Sequence, residues 1–279
     1  MSFDARRFKA MERAGFNRIA ERYADSAHLR AALAGALLDN ADLAPGQCVL
    51  DLASGPCLLA AEAARRVQPG GHVIATDIAE AMLAEGAQRA DNTDTLLLAA
   101  ADAEHLCVAD QRLDRVLAGL ALFMFPHPER ALAEIRRVLV PGGRLTLSVW
   151  GMREKVPLIA CAQDCIARLL PAPKIARPSV FRFGEAAILE ALLQQAGFQN
   201  IRIQPCDFFC DFNDTEAYWQ AFLDLAGGAA EALSRLPDST RQTLQAAVAE
   251  DLEPYRAMPT PSGYRLPARA LIASAIRPH

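Results

Sequence analysis

Four short stretches in the first half of the chain carry the residue types that could do chemistry together. They are Asp51-Leu52-Ala53-Ser54-Gly55-Pro56-Cys57, then Asp77, then Asp102-Ala103, and lastly Gly119-Leu120. A loop of small residues lets a ligand approach the backbone closely, and Gly55 can adopt dihedrals closed to other residues. Asp77 stands where nucleotide-binding folds place the acid that accepts both ribose hydroxyls, roughly 20 residues past the glycine loop. Asp102 can accept a hydrogen bond from an exocyclic amine such as that of adenine. The first loop holds one glycine where a dinucleotide fold wants three, and Pro56 removes a backbone donor. That speaks against a phosphate cradle and for a nucleoside without phosphates.

These stretches must be positioned by the elements that precede them. Cys48–Leu52, His72–Asp77, Thr95–Ala100, Asp114–Leu120 and Arg144–Trp150 read as apolar strands. Between them, helical spacing marks Leu58–Val67, Ala79–Ala90 and Pro128–Leu139, with Pro141-Gly142-Gly143 expected to break the last helix. Strand and helix in alternation imply parallel strands joined by right-handed crossovers, and near-continuous apolar strands fit a sheet buried on both faces. The ligand of such a sheet sits beyond the carboxyl ends of its strands, where all four stretches fall.

Residues 1–45 read as a helical cap, with Phe16, Ile19, Ala20 and Tyr23 on one stripe. Beyond Trp150 the text gives helices at Pro157–Leu169, Glu185–Ala196 (closed by Gly197), Thr215–Leu225 and Asp238–Leu252. Strands are expected at Asn200–Phe212 and Arg269–Ile276. The expected architecture is α/β and Rossmann-like: a mostly parallel seven-stranded sheet, helices on both faces, and a helical insertion at about 151–196 and 213–262 within a domain spanning 46–279.

Composition narrows the class. The 279 residues are 52% hydrophobic and 22% charged with a net charge of −4, which gives no reason to expect nucleic acid as a partner. The opening MSFDARRFKAMERAG is charged throughout and no stretch has the length of a membrane span, so the cytoplasm is the expected location. The cysteines number seven, at 48, 57, 107, 161, 165, 206 and 210. The pairs 161/165 and 206/210 would each share one face of an element, and no histidine or carboxylate completes a metal site, so no metal is expected.

The motifs VLDLASGPCLLA, ATDIAEAML and AADAEHLCVAD, in that order, resemble those of class I S-adenosylmethionine-dependent methyltransferases. LAGLALFMFPHPERALAEIRRVLVPGGRLTLSVWG is similar to the fourth strand, helix and turn of the subgroup that includes the ubiquinone/menaquinone C-methyltransferases. FNRIAERYAD and GYRLPARALIASA resemble its N-terminal closing segment and final strand. The resemblance runs from about Phe16 to the C-terminus. It implies S-adenosylmethionine as cofactor, with Asp51, Ala53, Ser54 and Gly55 along the methionine part. Asp77 would hold the ribose with Ile78 and Met82 nearby, Asp102 and Ala103 the adenine, Leu120 the pocket floor, and Tyr23 would cover the cofactor.

The sequence departs from the family's pattern where further glycines are usual, at Ala53 and Cys57. Cys57 falls at a helix N-terminus, where the dipole would favour a thiolate; a tolerated small residue is the other reading. No catalytic residue declares itself. His127 and His28 are candidate general bases by pKa, against readings as surface histidines, and His105 reads as surface packing. Phe123, Met124 and Phe125 wall either the pocket or the core. Tyr218, Trp219, Phe208, Phe209 and Phe212 either line an apolar substrate space under the insertion or pack in the core. The expected function is methyl transfer to a small, apolar or aromatic molecule. Three alternatives stand beside it: cyclase- or decarboxylase-type chemistry with the same cofactor, a non-catalytic cofactor-binding module, and a nicotinamide oxidoreductase. The acceptor and the oligomeric state, a homodimer included, are open.

Overall fold

Short apolar runs become buried parallel strands because helices cover them from both sides. The computed structural model describes residues 3–89, 95–172, 177–257 and 263–279. Ala90, residues 173–176 of the Pro-rich loop and residues 258–262 at the end of the expected insertion lie outside the described residues. In chain order the elements are α1 (Ala5–Asp25), a 3-10 turn (Ser26–Arg30), α2 (Ala31–Asn40), β1 (Cys48–Leu52), α3 (Leu58–Arg66), β2 (His72–Asp77), α4 (Glu80–Arg89), β3 (Leu96–Ala100) and β4 (Leu113–Gly119). There follow α5 (Pro128–Val138), β5 (Leu139–Trp150), α6 (Pro157–Leu169), α7 (Ala186–Gln195), β6 (Gln199–Phe212), α8 (Thr215–Leu225), α9 (Gly228–Ser234), α10 (Asp238–Leu252) and β7 (Tyr264–Ile276).

Among the described residues the seven strands form one sheet in the order β3-β2-β1-β4-β5-β7-β6. The pairs among β1 to β5 are parallel, whereas β7 runs antiparallel to both β5 and β6. Val49 and Val73 pack on one side against Leu37 and Leu38 of α2 and Ala60, Ala63 and Val67 of the α3 region. Leu50, Leu52 and Val116 pack on the other side against Leu132, Ile135 and Val138 of α5. The order reverses between β1 and β4, so the loops after β1 and β4 diverge and leave a crevice at their carboxyl ends.

Local chemistry sets several ends. Asp4 caps α1 by accepting from the Arg7 N–H at 3.0 Å, and Asp214 caps α8 by accepting from Ala217 N–H at 2.8 Å. Pro128 opens α5 at a position that needs no donor. Gly197, at φ +82°, closes α7, with Phe198 N–H donating to Leu193 O at 3.1 Å.

α1 lies across the sheet's carboxyl edge and is fastened to α4. Ile19 and Ala20 pack on Ala79 and Met82, Arg13 pairs with Glu80 at 2.8 Å, and Asn17 accepts from Ala81 N–H at 2.9 Å. Helices α6, α8 and α10 pack on one another, with the Tyr218 hydroxyl joined to Ala162 N–H and Leu158 O at 3.1 Å each. α7 packs on β6 instead. Among the described residues no helix is long and apolar enough to cross a membrane.

Three expectations need correction. Pro141-Gly142-Gly143 does not separate helix from strand, because α5 ends at Val138 and β5 already runs through the turn residues. There the chain end supplies the pairing: Gly142 N–H donates to Arg277 O and Arg277 N–H to Gly143 O, both at 2.9 Å. The last strand begins at Tyr264 rather than Arg269, since it pairs with β6 as far as Phe212 and tolerates Pro267 within it. Helix α9 was not expected; its GAAEALS sequence starts on glycine, a poor helix former.

Candidate functional site

The carboxyl ends of β1, β2, β3 and β4 meet around two abutting cavities. The larger, about 820 Å³ with its open mouth, is walled by Asp77, Ile78, Met82, Asp102 and Ala103, and by Phe8, Lys9, Glu12 and Phe16 of α1. Met124, Phe125 and Pro126 complete it beyond β4. The smaller, about 520 Å³, is walled by Asp51, Ser54, Leu58, Arg30, Leu33 and Ser148. Tyr23, Ala53, Gly55 and Leu120 border both. All eleven residues expected at a cofactor site therefore lie on these walls.

Tyr23 stands over the boundary. A Cβ built on Gly55 would sit 3.5 Å from the Tyr23 ring, whose edge contacts Phe16 at a centroid distance of 5.9 Å. The first loop is strongly curved. Gly55 has φ +55°, but Ala53 at +53° and Cys57 at +61° adopt left-handed backbone too. The residues standing where the family usually has glycine thus keep a glycine-like backbone, at a strain of about 1 kcal/mol each.

The acids differ in what already holds them. Asp77 accepts from Gly55 N–H at 2.9 Å and from Ala79 N–H at 2.8 Å, tying the first loop to the start of α4. Burial raises its pKa, opposed by those hydrogen bonds. Asp102 accepts from Glu104 N–H at 3.0 Å and from Lys9 Nζ at 2.7 Å, and Lys9 also pairs with buried Glu104 at 2.7 Å. Asp51 is fully buried: Oδ2 accepts from Ala60 N–H at 2.9 Å, while Oδ1 has no hydrogen-bond partner. Burial pushes its pKa up to about 8.

Other candidates fall away from the cavities. His127 caps α5, donates its backbone N–H to Glu104 at 2.9 Å and lines neither cavity; His28 is exposed beside Asp25 O. His105 is exposed as well. The reactive reading of Cys57 is overturned. Its thiol is buried against Gly86, where a Cβ would lie only 2.4 Å from the sulfur, and desolvation pushes its pKa up to about 12. The helix dipole does not offset that burial. Tyr218, Trp219, Phe208 and Phe212 are core residues, and Phe209 is exposed with Arg265 over its ring; none of them lines either cavity. Met124 and Phe125 wall the larger cavity, whereas Phe123 packs in the core.

Sequence reasoning missed Phe8, Lys9, Glu12 and Arg30. A signal existed: Phe8, Glu12, Phe16 and Tyr23 continue the stripe through Ile19, at spacings of one and two helical turns. Glu12, a buried charge inside an otherwise apolar stripe and paired with Arg177 at 3.0 Å, marks that face as more than packing.

Comparison with known proteins agrees with this geometry. The profile of a methyltransferase domain matches residues 50–147. A ubiquinone/menaquinone biosynthesis C-methyltransferase UbiE of Bordetella avium is 45% identical over 109 residues, 39% of this chain; the match spans only 43% of that protein's length. The UbiE of Cupriavidus necator is 31% identical over 173 residues, covering 58% of this chain and 71% of that protein. Among solved structures, the YcgJ protein of Bacillus subtilis superposes with a TM-score of 0.60 at 16% identity, over 88% of this chain and 98% of that one. Phosphoethanolamine N-methyltransferase 2 of Haemonchus contortus, solved with S-adenosyl-L-methionine, gives 0.55 at 17% identity, over 88% of this chain and 52% of that one. These two show the fold, and the sequence relatives show the family. Strand order, strand-end crevice and relatives together make this chain a member of the class I S-adenosylmethionine-dependent methyltransferases, similar within them to the ubiquinone/menaquinone C-methyltransferases.

Proposed function

We propose that this chain transfers the methyl group of S-adenosylmethionine to a small apolar or aromatic acceptor. A hydroxylated quinone-type ring is the first class to try, given what the UbiE relatives are named for. The observation that carries the reading is the pair of abutting cavities: the strand-end acids Asp77 and Asp102 in the larger one, and in the smaller a buried Asp51 oxygen that lacks a donor. A cofactor with a nucleoside at one end and an ammonium at the other fits that division.

In this reading Asp77 accepts the ribose hydroxyls, Asp102 and Ala103 border the adenine, and Ile78 and Met82 pack on it. Asp51, Ala53, Ser54 and Gly55 follow the methionine part, Leu120 forms the floor and Tyr23 the cover. When bound, the cofactor supplies an activated methyl sulfonium. The chain's own contribution is alignment and exclusion of water by Phe8, Phe16, Met124 and Phe125, since an activated donor asks for little else. Residues 1–45 act as the cap over both cavities, and the helices of the insertion other than α7 pack beside it without lining either one. The protein works in the cytoplasm on a small molecule, without nucleic acid, alone or as a homodimer.

Calorimetry on the purified protein tests the cofactor: S-adenosylhomocysteine should bind and NAD should not. Mass spectrometry of a panel of hydroxylated quinones and aromatic acceptors should then show products heavier by one methylene. Conversion of an acceptor without that gain would favour the cyclase or decarboxylase type. Absence of S-adenosylhomocysteine binding would end the proposal.

A further inference from the structure

Among the described residues on the wall of the larger cavity, Glu12 is the acid to which the proposed cofactor gives no role. It is 5% exposed and shares one face of α1 with Lys9 and Phe16, three residues before it and four after. Lys9 reaches Asp102, just past the end of β3, while Phe16 meets the Tyr23 ring that stands over Gly55. Glu12 therefore faces the cavity between the end given to the adenine and the end given to the methionine part. Its neighbours on that wall, Phe8 and Phe16, are apolar.

Two contacts fix its carboxylate. Arg177 Nη2 pairs with Glu12 Oε1 at 3.0 Å. From the other side the chain between α8 and α9 closes in at Gly227, where a Cβ would lie 3.0 Å from Glu12 Oε2 and 2.8 Å from the Phe16 ring. A buried ion pair of this kind adds little net stability over apolar residues of the same volume, so packing alone does not account for it. A carboxylate has roughly four lone-pair sites, more than a single guanidinium contact uses. Because Arg177 already matches the charge, the site favours a neutral donor over an ammonium and disfavours an anion. We infer that Glu12 is a specificity-determining residue: it accepts a hydrogen bond from a neutral hydroxyl of the acceptor and so sets which edge of the acceptor faces the cofactor. This rests on the proposed function. Arg177 is the positioning residue behind it.

The test compares three probes that share one aromatic frame: α-naphthol, its methyl ether and α-naphthylmethylammonium. Each is titrated by calorimetry into the full chain already loaded with S-adenosylhomocysteine. Native protein should bind the naphthol at least about tenfold more tightly than either of the others. Glu12→Leu should abolish that preference while changing S-adenosylhomocysteine affinity by less than about threefold, which also reports that the variant is folded. Glu12→Gln keeps an accepting oxygen and should retain part of the preference. The inference is overturned if native protein does not favour the naphthol, if it favours the ammonium, or if the preference survives in Glu12→Leu. A larger loss of S-adenosylhomocysteine affinity in both variants overturns it too, since that assigns Glu12 to the cofactor or to the fold. If native protein fails to take up S-adenosylhomocysteine in the loading step, the proposed function fails and this inference with it, so the two failures are distinguishable.

Discussion

The two cavities are built from the same strand ends but differ in how their charges are held. On the larger side Asp77 is fixed by two backbone N–H groups, and Asp102 by one more and by Lys9. On the smaller side Asp51 keeps a buried oxygen without a donor, and Arg30 keeps a guanidinium without an anion. In the first region the acids are met by donors of the protein; in the second, one carboxyl oxygen and the charge of one guanidinium are not matched among the described residues. In the proposed reading, the nucleoside lies in the first region and the amino-acid end of the cofactor in the second.

The largest effect that would break this comparison is at Asp77. Asp77→Ala strands the Gly55 and Ala79 N–H groups, so it should cost about 2–3 kcal/mol of stability and weaken S-adenosylhomocysteine about 100-fold or more. Chemical denaturation and calorimetry read the two quantities, and unchanged affinity would remove Asp77 from the site.

Asp51 comes next, through pH. Its folded pKa stands near 8 against an ordinary value of 3.8, so the folded state holds a proton that the unfolded chain has released. Without ligand, stability should therefore fall as pH rises through that window, and Asp51→Asn should flatten the fall. An ammonium partner needs the ionised form, so S-adenosylhomocysteine should bind more tightly from pH 6 towards 8, by up to about tenfold per unit. Loss of that slope in Asp51→Asn sharpens the contrast between cavities; a slope that survives would contradict it.

Lys9→Met should be milder. It frees Asp102 and leaves buried Glu104 with the His127 N–H, at about 1–2 kcal/mol of stability once partial exposure of the pair is allowed for. At Ala53, glycine should change the melting behaviour by less than about 0.5 kcal/mol, because relief of left-handed strain is offset by greater freedom of the unfolded chain. A β-branched Ala53→Val should instead lose at least about 1 kcal/mol, such residues being genuine outliers there. Smallest of all, His127→Ala should leave turnover within about twofold, where loss of a general base would cost about 100-fold or more. A large drop in that assay would restore His127 to the chemistry.

Legibility followed the range of the interactions. β1, β2, α3 and α8 were readable to within a residue or so because their apolar spacing and end signals are local. The first half of β7 was not legible from residue pattern, since Pro267 argues against a strand until β6 is alongside; only the resemblance of GYRLPARALIASA to the family's final strand covered it. The acids were legible because each sits at a strand end in its own motif. Lys9 and Arg30 were not: Lys9 is 93 residues from Asp102, and nothing near either residue in the text says which groove it will enter. Cys57 kept two readings open for a related reason. A helix N-terminus can be read from sequence, but the burial of the thiol against Gly86, 29 positions on, cannot.

The sequence by itself determined the order of strands and helices and the residue types waiting at the strand ends, because periodicity and small-residue loops act over a few positions. Only the tertiary structure decided which acids are already satisfied and which cations border the cavities. Hydrogen-bond partners and desolvation depend on neighbours that the chain brings together from far apart, and that closure sets the charge balance of the cleft.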